Sequence, residues 1–142
     1  MRDGARDTVS CGGERDLVLA DRFDLTTSDC ELVARPSLRC SKVGTGRSDE
    51  LVGGSRNDSI CALNGNDTVH AGRGADGVEG GAGNDTLHGG PGRDVLLGGE
   101  GYDTILTPDG ERDRVRCGPQ YDVVRADRFD VIALDCERVV RR

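Results

Sequence analysis

GGAGNDTLH (80–88), GGPGRDVLL (89–97) and GGEGYDTIL (98–106) are consecutive nonapeptides, and the reading of the chain starts from their register. The same period extends back to Gly44, which makes seven copies over residues 44–106. An aspartate returns every ninth residue: Asp49, Asp58, Asp67, Asp76, Asp85, Asp94 and Asp103. Two residues after each stands an aliphatic: Leu51, Ile60, Val69, Val78, Leu87, Leu96 and Ile105. Glycines hold the first, second and fourth positions of the best copies, as Gly80, Gly81 and Gly83, then Gly89, Gly90 and Gly92, then Gly98, Gly99 and Gly101. Gly65 and Gly74 keep the fourth position in the two copies before these. The earliest copies are poorer. Arg47 and Arg56 replace the fourth glycine, and Ala62-Leu63 replaces an opening Gly-Gly.

Composition sets the frame around this array. The chain has 142 residues, 22 of them glycine, no tryptophan, 3% aromatics and only 35% hydrophobic residues. Against an average glycine usage of about 7%, that is roughly a twofold enrichment. Low hydrophobicity with a net charge of -7 would by itself describe a disordered chain. A strict period argues otherwise, provided that something besides apolar burial supplies cohesion. The acidic balance argues against nucleic acid as a partner, because a phosphate-binding surface needs a basic stripe. It points to a cation. No apolar run is long enough to span a bilayer as a helix. The opening MRDGARDTVSCGG carries no apolar core of a secretory signal, so the chain is expected to be trimmed or to be exported by another signal.

The repeats resemble the RTX, or haemolysin-type, calcium-binding nonapeptide GGxGxDxUx, a parallel β-helix repeat. The resemblance implies an all-β fold: a right-handed parallel β-roll with two nonapeptides per turn. In such a roll six residues of each repeat form a loop and three form a strand, the middle aliphatic facing inward. Glycines at the first, second and fourth positions are expected to take positive φ and turn carbonyls toward the ion. Carboxylates and carbonyls from stacked loops then make an all-oxygen cage. Calcium accepts six to eight such ligands with irregular geometry, whereas magnesium demands a near-ideal octahedron. Thiolate- or imidazole-seeking metals find no matching ligands in the loops.

The implied ligand set follows residue by residue. One side of the roll stacks Asp49, Asp67, Asp85 and Asp103; the other stacks Asp58, Asp76, Asp94 and then Asp113. Ions are expected between Asp67 and Asp85, Asp85 and Asp103, and Asp76 and Asp94, whose loops keep Gly65, Gly83, Gly101, Gly74 and Gly92. Arg47 and Arg56 count against pairs that include Asp49 or Asp58, since each removes a left-handed turn and adds a cation. The alternative is an aspartate ladder that only caps turns through its own side-chain hydrogen bonds. Repulsion between stacked carboxylates weighs against it.

The flanks of the array match each other. Residues 6–33 and 112–139 align at a constant offset of 106, sharing RD-x-V-x-CG, ADRFD, DCE and a closing valine. Both are degenerate nonapeptides, with Asp7, Asp16, Asp113 and Asp122 each two residues before a valine. A repeat stack needs atypical end units to protect its edges, so residues 1–33 and 107–142 read as capping elements. Residues 34–43 read as a connection and 44–106 as the roll. A second, independent binding module is the other reading of the flanks.

Cys11 and Cys30 are 19 apart, as are Cys117 and Cys136. With 18 residues per turn, that step brings sulfurs onto adjacent rungs, near the ~5.5 Å Cα separation of a disulfide. Cys40 and Cys61 then pair by elimination, although six cysteines allow 15 connectivities. A zinc site is the rival reading, but no C-x-x-C or Cys/His cluster supports it. Disulfides imply an oxidising, extracellular setting.

Other candidates are thin. His70 and His88, 18 apart, are expected to stack on an outer face, as a solvated ladder or a weak transition-metal pair. Thr68, Thr86 and Thr104 form a similar stripe. No nucleophile–base set is legible, so no enzyme is expected. The expected function is structural calcium binding by a secreted or surface-exposed module of the kind appended to toxins, proteases or adhesins. An adhesive scaffold using an outer face of the roll is the alternative.

Overall fold

The computed structural model describes residues 40–142 and, within residues 1–39, the backbone of four short strands. The chain divides into two units, Met1–Arg39 and Cys40–Arg142. The first contains β1 (Thr8–Val9), β2 (Leu17–Leu19), β3 (Leu25–Thr26) and β4 (Leu32–Ala34). β1 pairs with β3 and β2 with β4, both in parallel. The expected bond between Cys11 and Cys30 lies outside the described residues.

The second unit is a parallel β-roll. Its strands are β5 (Lys42–Val43), β6 (Glu50–Gly54), β7 (Ser59–Asn64), β8 (Thr68–Gly72), β9 (Gly77–Ala82) and β10 (Thr86–His88). They continue as β11 (Val95–Glu100), β12 (Thr104–Thr107), β13 (Arg114–Arg116), β14 (Val123–Ala126), β15 (Val131–Ile132) and β16 (Arg138–Arg141). Even-numbered strands form one six-stranded sheet and odd-numbered strands the other, each in chain order. Each strand therefore finds its partner two nonapeptides away. Thr68 lies beside Thr86 and Thr86 beside Thr104, the 18-residue step that the period predicts.

The register changes after the repeats. Val95 pairs with Arg114 and Thr104 with Val123, a step of 19 that carries the residue inserted near Thr107. Arg114 then pairs with Val131, a step of 17, and Val123 with Arg138, a step of 15. β1–β3 and β2–β4 repeat these last two steps, Thr8 with Leu25 and Leu17 with Leu32, displaced by 106 residues. The sequence duplication is thus also a duplication of strand register.

The interior is a column of Ile60, Val69, Val78, Leu87, Leu96, Ile105, Val115 and Val124, all essentially inaccessible. Leu51, at the first rung, is only partly covered. The sequence reading placed one inward residue in each repeat; the structure places a second. Strands such as β7 and β9 run six residues, beyond the expected three, so the first position of the next repeat also points inward. Ala62, Ala71, Thr107, Cys117 and Ala126 occupy it and are buried. Disulfides join Cys40 to Cys61 and Cys117 to Cys136, with Cα separations of 5.8 and 5.2 Å. Both pairings follow the sequence expectation, one near each end of the roll.

Candidate metal centre

Each loop presents its aspartate inward. Asp67, Asp76, Asp85, Asp94, Asp103, Asp113 and Asp122 are all at most 2% exposed. A carboxylate buried this deeply requires partners for both oxygens. One oxygen has them. The Asp67 N–H donates to Asp85 Oδ1 at 2.8 Å and the Asp85 N–H to Asp103 Oδ1 at 2.8 Å. On the opposite side the Asp76 N–H donates to Asp94 Oδ1 and the Asp94 N–H to Asp113 Oδ1. The ladder joins the aspartates that the 18-residue stacking placed together.

The second oxygen is unpaired. Oδ2 of Asp67, Asp76, Asp85, Asp94, Asp103, Asp113 and Asp122 is buried and accepts no hydrogen bond. Seven orphaned anionic oxygens in two columns require compensation, either by protons or by cations. Burial holds the carboxyls of Asp76, Asp85, Asp94, Asp103, Asp113 and Asp122 above their ordinary range, with neighbouring carboxylates adding to the effect. Asp94 and Asp103 are pushed to about 6 and Asp113 to about 7. Asp76, Asp85 and Asp122 move the same way for the same first reason. A ladder that only capped turns would satisfy both oxygens, so the turn-capping alternative does not account for Oδ2.

Asp49 and Asp58 differ. They are half-buried, and their Oδ2 atoms accept the N–H of Thr45 at 2.6 Å and of Gly54 at 2.8 Å within their own loops. Arg47 and Arg56 stay out of the left-handed region, as expected. The first rung therefore lacks the orphaned oxygen that the later rungs carry.

The glycines divide into two kinds, which corrects the expectation that all three positions take positive φ. Gly65, Gly74, Gly83, Gly92 and Gly101 at the fourth position, and Gly72, Gly81, Gly90 and Gly99 at the second, lie between +91° and +148°. Gly80, Gly89 and Gly98 at the first position do not. Their requirement is space. A Cβ on Gly80 would fall 2.5 Å from both Asp85 Oδ2 and the Gly98 carbonyl oxygen; on Gly89 it would meet Asp94 Oδ2 at 2.7 Å. A Cβ on Gly98 would lie 2.5 Å from Asp103 Oδ2 and 2.6 Å from the Cys117 carbonyl oxygen. Backbone oxygens of one rung and carboxylate oxygens of the rung before it thus converge where only glycine leaves room.

A second ladder runs outside the first. The Asn84 N–H donates to Asn66 Oδ1 at 2.9 Å, and the Tyr102 N–H to Asn84 Oδ1 at 3.0 Å. The recurring Asn immediately before Asp67 and Asp85 was the signal for it, and the sequence reading passed it over. His70 and His88 stack on the outer face with ring centroids 4.4 Å apart. Burial and the neighbouring ring hold His88 below the ordinary histidine range. Among the described residues, one cluster groups three metal-type side chains, Cys117, Asp135 and Cys136, and its two sulfurs are spent in the disulfide.

The oxygen-only lining, the orphaned carboxylates and the absence of thiolate or imidazole from the loops fit a hard divalent cation of calcium type. No helix among the described residues is long and apolar enough to cross a membrane. No curated protein and no solved structure matches the chain. Residues 43–78 and 78–105 match the family model of the RTX calcium-binding nonapeptide repeat (4 copies). The repeat array, residues 43–105, thus matches the RTX calcium-binding nonapeptide repeat, a structural repeat whose ion is Ca2+.

Proposed function

We propose that the roll is a secreted structural module whose folding is completed by calcium. The observation that carries this reading is the double column of buried, unpartnered Oδ2 atoms. Left charged and bare, each opposes the folded state; bound to an ion, each supports it. Ions are assigned between Asp67 and Asp85, Asp85 and Asp103, and Asp76 and Asp94, with loop carbonyls as the remaining ligands. Gly65, Gly74, Gly83, Gly92 and Gly101 provide the turns, together with Gly81, Gly90 and Gly99. Gly80, Gly89 and Gly98 provide the room. Asp49 and Asp58 are assigned to closing the first rung through hydrogen bonds.

Residues 107–142 are assigned as a cap on the last rung, and residues 1–33, with the same register, as its counterpart. The disulfides support a setting outside the cell. The adhesive alternative receives less support. Tyr102, Tyr121 and Phe129, the exposed aromatics among the described residues, stand in loops and not on a sheet face. The outer column of the even-numbered sheet mixes Val52, His70, His88, Leu106 and Arg125.

Circular dichroism and thermal melting test the proposal. Calcium should raise β-content and melting temperature at concentrations where magnesium does little, with Kd of about 10⁻⁴–10⁻³ M, as in extracellular sites. A melting curve indifferent to chelator would refute it.

A further inference from the structure

We infer that a further calcium site lies beyond the matched repeats, between Asp103 and Asp122, built by the loop Cys117–Asp122. The inference rests on the calcium reading of the repeats and extends it to a loop, CGPQYD, that departs from the nonapeptide at two of its three glycines. The family match ends at residue 105.

Three observations place the loop in the same conformation as the repeats. Gly118, at the second position, has φ of 112°, and Gln120, at the fourth, has φ of 80°. A side chain in the left-handed region is strained by about 1–2 kcal/mol, so the surrounding structure imposes that turn on Gln120. Gln120 Oε1 accepts the Gly101 N–H at 3.1 Å, where the fourth-position N–H of Gly83 donates to the Glu100 carbonyl at 2.7 Å. A side-chain carbonyl has thus replaced a backbone one without changing the stack. The Cys117 carbonyl also meets Asp103 Oδ2 around Gly98 as the Gly98 carbonyl meets Asp85 Oδ2 around Gly80.

The ligand signal itself is the carboxylate. Asp122 is fully buried, its Oδ1 accepts the Asp103 N–H at 2.7 Å, and its Oδ2 has no partner. Asp103 Oδ2, one rung below, is equally bare. The next rung adds acid beside the site: the Asp122 N–H donates to Glu137 Oε2 at 2.9 Å, and the Cys117 N–H to Asp135 Oδ1 at 3.3 Å. The disulfide from Cys117 to Cys136 anchors the loop that carries the site.

The chain supplies its own reporter. It has two tyrosines and no tryptophan. Tyr102 precedes Asp103 and Tyr121 precedes Asp122, so the tyrosines flank this one pair. Terbium(III), a calcium surrogate whose emission is excited through nearby tyrosine, is the probe. In the full chain carrying Tyr102→Phe, Tyr121 is the only sensitiser and all proposed ligands remain. Terbium emission excited through Tyr121 and displaced by calcium is expected; its absence would overturn the site without any ligand having been altered. Adding Asp122→Asn should lower that emission and remove one calcium from the calorimetric stoichiometry. Unchanged emission and stoichiometry would overturn the site while leaving the repeat sites standing. A parent chain that binds no calcium at all would overturn both.

Discussion

Asp85→Asn separates what the aspartate does for the fold from what it does for the ion. Asp85 Oδ1 accepts the Asp67 N–H at 2.8 Å, and asparagine keeps that acceptor. The Asp85 N–H still donates to Asp103 Oδ1. What changes is Oδ2, the buried oxygen without a partner, which becomes an amide N–H group near the Gly98 carbonyl. Without calcium the substitution removes a desolvated charge, so the metal-free variant should melt at or above the metal-free parent. With calcium the sign reverses. Asp85 is shared by the ions proposed below it with Asp67 and above it with Asp103. Each site filled at 100 Kd stabilises by about 2.7 kcal/mol, so the variant forfeits up to about 5 kcal/mol of calcium-linked stability. Asp49→Asn is the control. Its Oδ2 already accepts hydrogen bonds from Thr45 N–H and Thr45 Oγ1, and its loss should be about 1 kcal/mol, with calcium or without. Calorimetric stoichiometry and paired melts in calcium and in chelator read both variants. Equal, single-site losses in the two would mean that each loop binds alone, and the shared-ion argument would be wrong.

Acidity should act in opposite directions on the two forms. In the metal-free roll Asp94 and Asp103 sit at about 6 and Asp113 at about 7, above the ordinary 3.8 of the unfolded chain. The native state then holds more protons, so metal-free stability is fully present below 3.8 and is lost as pH rises through 6 to 7. Calcium-linked stability should instead fade as pH drops through that range, because protons and calcium compete for the same oxygens. Melting temperatures against pH, with and without chelator, check both, and a metal-free roll that stiffens on going from acid to neutral would contradict the burial argument. Backbone conformation gives a further pair of tests. Leu63 occupies a second position at φ of 83° and is 46% exposed, so Leu63→Gly should stabilise by about 1 kcal/mol. Gly83→Ala would drive a Cβ into the Gly65 carbonyl from a φ of 133°, a loss of about 3 kcal/mol. Denaturant midpoints at unchanged slope read both, and an alanine tolerated at 83 would mean that the rungs are not in close contact.

The period made most of this legible. Once Asp67, Asp85 and Asp103 fall 18 residues apart, a two-repeat turn fixes the strand partners, the two aspartate columns and the rungs on which Cys117 and Cys136 face each other. What the period hid was whatever depends on contact between rungs. Gly80 and Gly83 look alike in sequence, yet the first is glycine only because a carboxylate and a carbonyl crowd its Cβ, and the second because its φ is also positive. Ala62 reads as a replaced glycine and, like Ala71, is a core residue. Asn66 and Asn84 hold a position that the period leaves open and form a hydrogen-bond ladder. The Asp122 loop reads as a degenerate nonapeptide, and Gln120 takes the glycine turn regardless.

The end of the roll shows how loop length decides between ion and hydrogen bond. From Asp67 to Asp103 the rung step is 18 and Oδ2 stays bare. Where the step falls to 17, at Asp113 against Asp130, the shortened loop brings donors to the next carboxylate. Asp130 Oδ2 accepts both Thr107 Oγ1–H and the Asp127 N–H at 2.9 Å, and Asp127 accepts the N–H groups of Gly110 and Phe129. Arg141 closes over the Asp127 carbonyl from the last strand. These acids are as acidic in sequence as those of the repeats, yet each has protein partners. The residue deletions that break the nonapeptide register are thus the same feature that ends the column of orphaned oxygens. Residues 6–33 carry the same ADRFD segment, and β1–β3 and β2–β4 the same 17- and 15-residue steps. The duplication therefore preserves the strand steps at which, in residues 107–142, carboxylates find protein donors.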